Sequence, residues 1–307
     1  MDRLISRIDA LRNPTVVGLD PADSMMPCGL REEKTRAFGR TPEAVAQMFI
    51  AYNRCIIDAV WDIVPAVKPQ IAMYERYGLP GLAAYLDCVA YARERGLLVI
   101  GDIKRGDIAS TAEAYASHLS GVTIDGQFHD VWQEDAVTLN PYMGSDGIRP
   151  FVTAATETGR ALFVLLKTSN PSSAELQDLL LQDARPLYEQ VASLIGQWGE
   201  DSIGAYGYSR VGAVVGATHP EEGARLRTLL PHTFFLVPGY GAQGATAEGL
   251  RGFFDAQGRG CIVNSSRGII AAWQKAGGEN LQDVSDAARA AALDMREALR
   301  EALRKVQ

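Results

Sequence analysis

Short, nearly unbroken apolar runs rich in β-branched residues recur along the whole chain, each closing on glycine or polar residues. They cover residues 15–19, 63–67, 97–103, 136–139, 161–166, 211–215, 233–237 and 261–263. Apolar character on both faces is what parallel strands covered by helices need; a half-exposed strand would alternate. Helical patterns lie between these runs. One opens at Thr41-Pro42-Glu43, with proline at the first helical position and an acid in the first turn. It carries Val45, Met48, Phe49, Tyr52, Ile56 and Val60 at helical spacing. A second starts near Pro80, carries Leu82, Leu86 and Val89, and stops at Gly96 behind Arg93 and Arg95. Others span residues 186–198, 220–230, 246–254 and 285–302.

Eight strands alternating with helices over 307 residues predict an α/β fold, a (β/α)8 TIM barrel forming one domain over 1–307. A doubly wound open sheet fits the same periodicity and is the alternative. Residues 21–40 and 170–210 are longer than a minimal barrel needs. They are expected as extended loops after strands 1 and 5, at the face where the strands end.

Charge narrows the choice of ligand. Thirty Lys and Arg stand against 37 Asp and Glu, a net charge of −7 with a pI near 5.2. That balance argues against a general nucleic-acid or anionic-membrane binder. An anionic ligand must therefore be held by a few local cations and backbone N–H groups. No apolar stretch approaches the ~18 residues of a membrane span, and the opening residues 1–9 alternate charge with apolar side chains, unlike a secretory signal. Cys28, Cys55, Cys88 and Cys261 are scattered, and His118, His129, His219 and His232 form no ligand cluster. Reduced thiols, a cytoplasmic location and no metal site are the expectation.

The informative residues stand where the strands stop, because the chemistry of either fold sits at the carboxyl ends of its strands. Strand 1 ends in Gly18-Leu19-Asp20, strand 2 in Val67-Lys68-Pro69-Gln70, and strand 3 in Asp102-Ile103-Lys104-Arg105-Gly106-Asp107. Asp102 and Lys104, two apart on a strand, face the same way, with Leu97, Val99 and Ile103 turned toward the helices. Asp107 falls just before the next helix, where Ser110 or Thr111 is placed to cap. One such pair reads first as a structural ion pair. Charges there are costly to desolvate unless paired, and three consecutive strands ending in Asp, Lys and Asp-x-Lys change the reading: four charges converging on one mouth mark a site. Two anion-binding candidates follow strands 7 and 8: Pro238-Gly239-Tyr240-Gly241-Ala242-Gln243-Gly244 and Asn264-Ser265-Ser266-Arg267-Gly268. Barrels commonly hold phosphate at these two loops, and Arg267 adds a bidentate donor.

Together these motifs resemble the orotidine 5′-phosphate decarboxylase family, in its longer bacterial-type branch. The resemblance is carried by Asp102-x-Lys104-x-x-Asp107-Ile108 with Thr111, by Asp20, Lys68 and Thr168-Ser169-Asn170-Pro171, and by the two phosphate loops. It runs from position 18 to 268. It implies cofactor-free decarboxylation of orotidine 5′-monophosphate to UMP, the last step of de novo pyrimidine nucleotide synthesis, by a homodimer with its two sites at the interface. Under it, Lys104 donates the proton to carbon 6 of the pyrimidine and Asp102 lies against the substrate carboxylate. Lys68 and Asp20 hold the ribose hydroxyls. Asp107, Ile108 and Thr111 come from the other subunit, and Ser169 meets the pyrimidine amide edge. Gln243 and Arg267, with Gly241 and Ser266 of the same loops, take the phosphate, and Tyr240 is a further candidate there. Flanking carboxylates keep a lysine such as Lys104 charged.

Three rivals remain. A metal-dependent phosphosugar decarboxylase or aldolase of the same barrel group needs an extra acid where strand 2 ends in Lys68. A Schiff-base aldolase would use Lys104 as nucleophile, which requires a depressed amine pKa. A barrel that binds a nucleotide without turning it over is the third.

Overall fold

The computed structural model describes residues 1–241 and 244–304. Eight parallel strands close into a barrel in chain order: β1 Thr15–Leu19, β2 Ala66–Pro69, β3 Leu98–Arg105, β4 Ala136–Leu139, β5 Ala161–Lys167, β6 Val211–Val215, β7 Phe235–Pro238 and β8 Cys261–Ser265. The open-sheet alternative is excluded by the pairing of β8 with β1, in which Thr15 lies opposite Val263 and Val17 opposite Ser265. An additional antiparallel hairpin, Val122–Ile124 with Gln127–His129, precedes β4.

Burial explains both apolar faces of the strands. Val17, Val67, Val99, Val137 and Val164 point outward into a layer shared with the helices. Val16, Ile100, Phe163, Leu236 and Ile262 fill the barrel, and Leu4, Ile5 and Ile8 of the helix Asp2–Leu11 close its floor beside the first residues of the strands. With the floor sealed, the free end is the one where the charged residues stand.

All eight apolar runs are strands, with local adjustments. β2 begins at Ala66 because Ile63 and Val64 belong to the turn that ends the helix Pro42–Val60, both donating to Val60 O. Thr41 caps that helix, its Oγ1 accepting the Ala44 N–H at 3.3 Å. Residues 246–254 form a 3-10 helix, Glu248–Phe253, rather than an α-helix.

The loop after β1 carries the helix Cys28–Phe38. The long loop after β5 is shorter than expected. Only the part up to Pro186, with the short helix Ala174–Gln177, lies at the strand ends. The helix Leu187–Gly199 then runs back down the barrel. Residues beyond it reach the floor, where the Ala205 N–H donates to Asp2 Oδ2 at 3.0 Å.

Candidate active site

β1, β2 and β3 are neighbours in the barrel, so inward positions at their ends converge. Leu19, Val67 and Ile103 are packed in the outer layer, which turns Asp20, Lys68 and Asp102 inward. Lys68 Nζ lies 2.6 Å from Asp102 Oδ2 and 3.8 Å from Asp20 Oδ1. Lys104 Nζ reaches Asp102 Oδ1 at 2.5 Å. Four charges from three strands thus form one chain of alternating sign. Burial opposes ionisation of Asp102, but the Lys68 and Lys104 ammonium groups hold its carboxyl well below the usual carboxylate range. Burial likewise disfavours the Lys68 ammonium, and Asp102 and Asp20 more than reverse this, raising its pKa. The two lysines differ in access. The Lys68 side chain is 4% exposed and fixed, whereas that of Lys104 is 44% exposed at the mouth.

Lys104 does not sit on a regular strand. The register between β3 and β4 shifts between Gly101 and Arg105, and Lys104 has φ 46°, in the left-handed region that costs a side-chain-bearing residue roughly 1–2 kcal/mol. The irregularity re-aims its side chain toward Asp102. Its N–H donates to Thr138 Oγ1 at 3.1 Å, and Thr138 Oγ1 donates to Asp102 Oδ1 at 2.8 Å. The sequence patterns do not single out Thr138; its one signal is a polar position inside the apolar run 136–139.

Asp107 stays apart from this chain of charges. Its Oδ1 accepts the Ile108 N–H at 2.8 Å, and among the described residues it forms no ion pair. The cap position of the helix Ala109–Ser120 is occupied by Ile108, with no side-chain cap. Ser110 and Thr111 therefore lie inside the first turn instead of capping it, and Ile108 and Thr111 are exposed.

On the opposite wall, Ser169 follows β5 and packs on Gly216 behind β6. Gln177 holds this corner. Its Oε1 accepts the Thr168 N–H at 2.9 Å, and its Nε2 donates to Thr168 Oγ1 at 2.7 Å. Asp178 pairs with the buried Lys167 Nζ. Neither contact had a readable sequence signal, because both depend on the fold of the loop.

The two anion loops lie side by side, β7 next to β8. Ser266 precedes the one-turn helix Arg267–Ile270, and Arg267 is exposed. Gly18 is required beside it, since a Cβ there would overlap Ser266 Oγ. Asn264 Nδ2 donates to Ser266 Oγ at 3.2 Å, while Asn264 Oδ1 is buried without a partner among the described residues. Tyr240 is half-buried, and the Gly241 N–H donates to Ala245 O at 3.1 Å, so in this conformation it is already used. Gln243 lies outside the described residues. Among the described residues, no three His, Cys, Asp or Glu side chains converge as metal ligands do.

Residues 16–277 match the model of the orotidine 5′-phosphate decarboxylase / HUMPS family. The chain belongs to that family. It is 41% identical over 290 residues to the orotidine 5′-phosphate decarboxylase of Rhodopirellula baltica, covering 93% of this chain and 94% of the relative. It is 40% identical over 304 residues to the Clostridium acetobutylicum enzyme of the same name, covering 99% of each. Among solved structures, the Leishmania donovani OMP decarboxylase superposes with a TM-score of 0.74 at 32% identity, over 98% of each chain. The activity is that of an orotidine 5′-phosphate decarboxylase, a carboxy-lyase of UMP biosynthesis. Among the described residues no helix is long and apolar enough to cross a membrane.

Proposed function

We propose that Lys104 protonates carbon 6 of the pyrimidine of orotidine 5′-monophosphate as CO2 leaves, giving UMP. One arrangement carries this reading: the Asp102 carboxylate lies between two ammonium groups, Lys68 at 2.6 Å and Lys104 at 2.5 Å, at the open end of the barrel. Breaking the bond from carbon 6 to the carboxylate leaves the electron pair on a ring carbon, in an orbital the ring does not delocalise. A fixed positive charge stabilises that pair as it develops, and a proton then quenches it. Lys104 supplies both, and water returns its proton. Asp102, facing the substrate carboxylate, repels the charge present in the ground state and absent from that position in the transition state.

Lys68 and Asp20 hold the ribose hydroxyls; the buried Asp20 Oδ1, which accepts no hydrogen bond among the described residues, supports this. Ser169 meets the pyrimidine amide edge. Arg267 and Ser266, with Gly241 and Gln243, take the phosphate, whose binding energy is available for loop closure and orientation. The scheme needs no cofactor, because the ammonium stands where pyridoxal or thiamine would provide an electron sink. An ammonium 2.6 Å from Asp102 repels a divalent cation, which disfavours the metal-dependent phosphosugar reading.

The working form in this reading is a cytoplasmic homodimer of one-domain chains, with Asp107, Ile108 and Thr111 completing the partner's site. Two observations support sharing. Asp107 makes no ion pair within its own chain among the described residues. Ile108 and Tyr142, apolar or aromatic, are 49% and 77% exposed in the loops after β3 and β4.

The test follows loss of orotidine 5′-monophosphate absorbance with chelator-treated protein, wild type beside Lys104→Ala. Turnover by the wild type and its loss in a folded Lys104→Ala are expected. Activity retained within about tenfold in the variant overturns the proton-donor role.

A further inference from the structure

A second set of buried polar groups lies behind β3, on its outer face toward the helices. Glu134, just before β4, is fully buried. Its Oε1 accepts the Tyr85 hydroxyl and its Oε2 lies 2.7 Å from His118 Nδ1. Tyr85 belongs to the helix Gly78–Glu94 and His118 to the helix Ala109–Ser120. The His118 ring is stacked on Trp132, with centroids 4.1 Å apart. The carboxylate presses against the backbone of β3 at Gly101, where a Cβ would overlap it. Next to it, Asp135 Oδ2 accepts the Val99 N–H at 3.0 Å and the Asp135 N–H donates to Val99 O at 2.9 Å. Tyr85 also meets Tyr74 edge-on at 5.4 Å, and the Tyr74 hydroxyl donates to the carbonyl of Leu19, the residue before Asp20.

A buried carboxylate is expensive unless every oxygen is satisfied. This one is satisfied by groups from two helices, and it touches the strand that carries Asp102 and Lys104 one and three residues further on. Beyond Gly101 that strand leaves its register and places Lys104 at φ 46°. A strained conformation of this kind persists only where its surroundings over-determine it. Thr138 fixes the strand from the inside. On the outside, the contact at Gly101 is made by Glu134.

We infer that Glu134 is a positioning residue for Lys104: wedged in the notch at Gly101 and tied to Tyr85 and His118, it holds β3 and the following helix in the geometry that aims the lysine at Asp102. The inference rests on the reading of Lys104 as proton donor. The role is one of geometry, so its loss should appear in kcat with KM little changed.

The experiment measures kcat, KM and thermal midpoint for Glu134→Ala, Glu134→Gln, Tyr85→Phe and the pair Gly101→Ala with Gly101→Ala/Glu134→Ala. Glu134→Ala is expected to lower kcat about tenfold or more with KM within about threefold. Glu134→Gln, which keeps the shape and two polar ends, recovers most of the loss. Gly101→Ala lowers kcat by displacing the carboxylate, and the double variant exceeds Gly101→Ala because its Cβ refills the notch. A drop in thermal midpoint with kcat unchanged within about twofold overturns the inference and leaves Glu134 a purely structural residue. If Glu134→Ala does not fold, Tyr85→Phe decides by the same criterion, since it removes one hydrogen bond and almost no volume. Lys104→Ala in the same assay separates the two readings. Full turnover there removes the role of Lys104 itself. An inactive Lys104→Ala beside an unaffected Glu134→Ala overturns the positioning role alone.

Discussion

Thr138 and Lys104 are joined through one hydroxyl: Thr138 Oγ1 accepts the Lys104 backbone N–H at 3.1 Å and donates its own hydrogen bond to Asp102 Oδ1 at 2.8 Å. The neighbouring strand β4 thereby fixes both the left-handed backbone of the lysine and the rotamer of its carboxylate partner. A side chain that carries no charge sets the spacing of two that do.

Thr138→Val tests this with almost no change in volume. It leaves the Lys104 N–H without an acceptor and removes a donor from a buried carboxylate. A loss of about 1–3 kcal/mol in stability is expected, together with a fall in kcat larger than the change in KM. Urea unfolding and steady-state turnover measure the two effects. A variant with wild-type kcat and stability would show that the hydroxyl is dispensable.

How much of this was legible in the sequence depends on the range of the interaction. The barrel strands were readable because parallel strands covered on both faces need continuous apolar runs, and Asp20, Lys68 and Asp102 were readable because such runs end at the chemistry. The backbone break at Lys104 was not, since a two-residue period describes a regular strand and a register shift has no signature in residue types alone. Glu134 and Gly101 are 33 positions apart in the chain, and nothing local pairs a glycine in one strand with an acid before the next. The sequence reading extends the loop after β5 too far for a related reason. The segment 200–210 is polar and irregular, which suits the floor of a barrel as well as its mouth.

Lys68→Met removes the buried partner of Asp102. Breaking a buried pair from one side costs up to about 3–5 kcal/mol near neutral pH, here because Asp102 is left buried with only the more exposed Lys104 to compensate its charge. The pH dependence follows from the shifts. The folded-state pKa of Asp102 is depressed, so its contribution is complete above the unfolded value of about 3.9 and is lost as pH falls through the folded value. The pKa of Lys68 is raised, so its contribution is complete below about 10.4 and is lost as pH rises through the folded value. The stability gap between wild type and variant should stay level from about pH 5 to 9 and narrow toward about pH 3, as the variant's Asp102 takes up a proton. Urea midpoints across that range give the gap. One that persists undiminished into acid means that Asp102 is not its source.

Arg267→Ala addresses the phosphate loops. Arg267 is exposed beside Ser266 and stands at the start of a one-turn helix, so its loss should leave the fold intact. Binding of UMP should weaken by about 1.5–3 kcal/mol, the range of a charge-assisted contact, while uridine is bound as before. Calorimetric titration with the two ligands separates them. Equal losses for nucleotide and nucleoside would place Arg267 elsewhere than at the phosphate.

The last prediction concerns Asp107, the one acid of the motif that the chain's own geometry leaves out. Asp102 already engages Lys68 and Lys104, whereas Asp107 is turned to its neighbour's backbone and Ile108 is exposed beside it. If the acid serves the partner subunit, a Lys104→Ala chain and an Asp107→Ala chain carry complementary defects. Each alone is inactive at both sites. Mixed and allowed to exchange, they form heterodimers in which one site lacks both residues and the other has both. At equal amounts, random pairing makes about half of all dimers mixed, each with one intact site, so about a quarter of wild-type activity should return. Differential tags and native mass spectrometry establish that exchange has occurred. No recovery in a mixture shown to contain heterodimers means that Asp107 acts within its own subunit, and the loop after β3 must then close onto its own barrel.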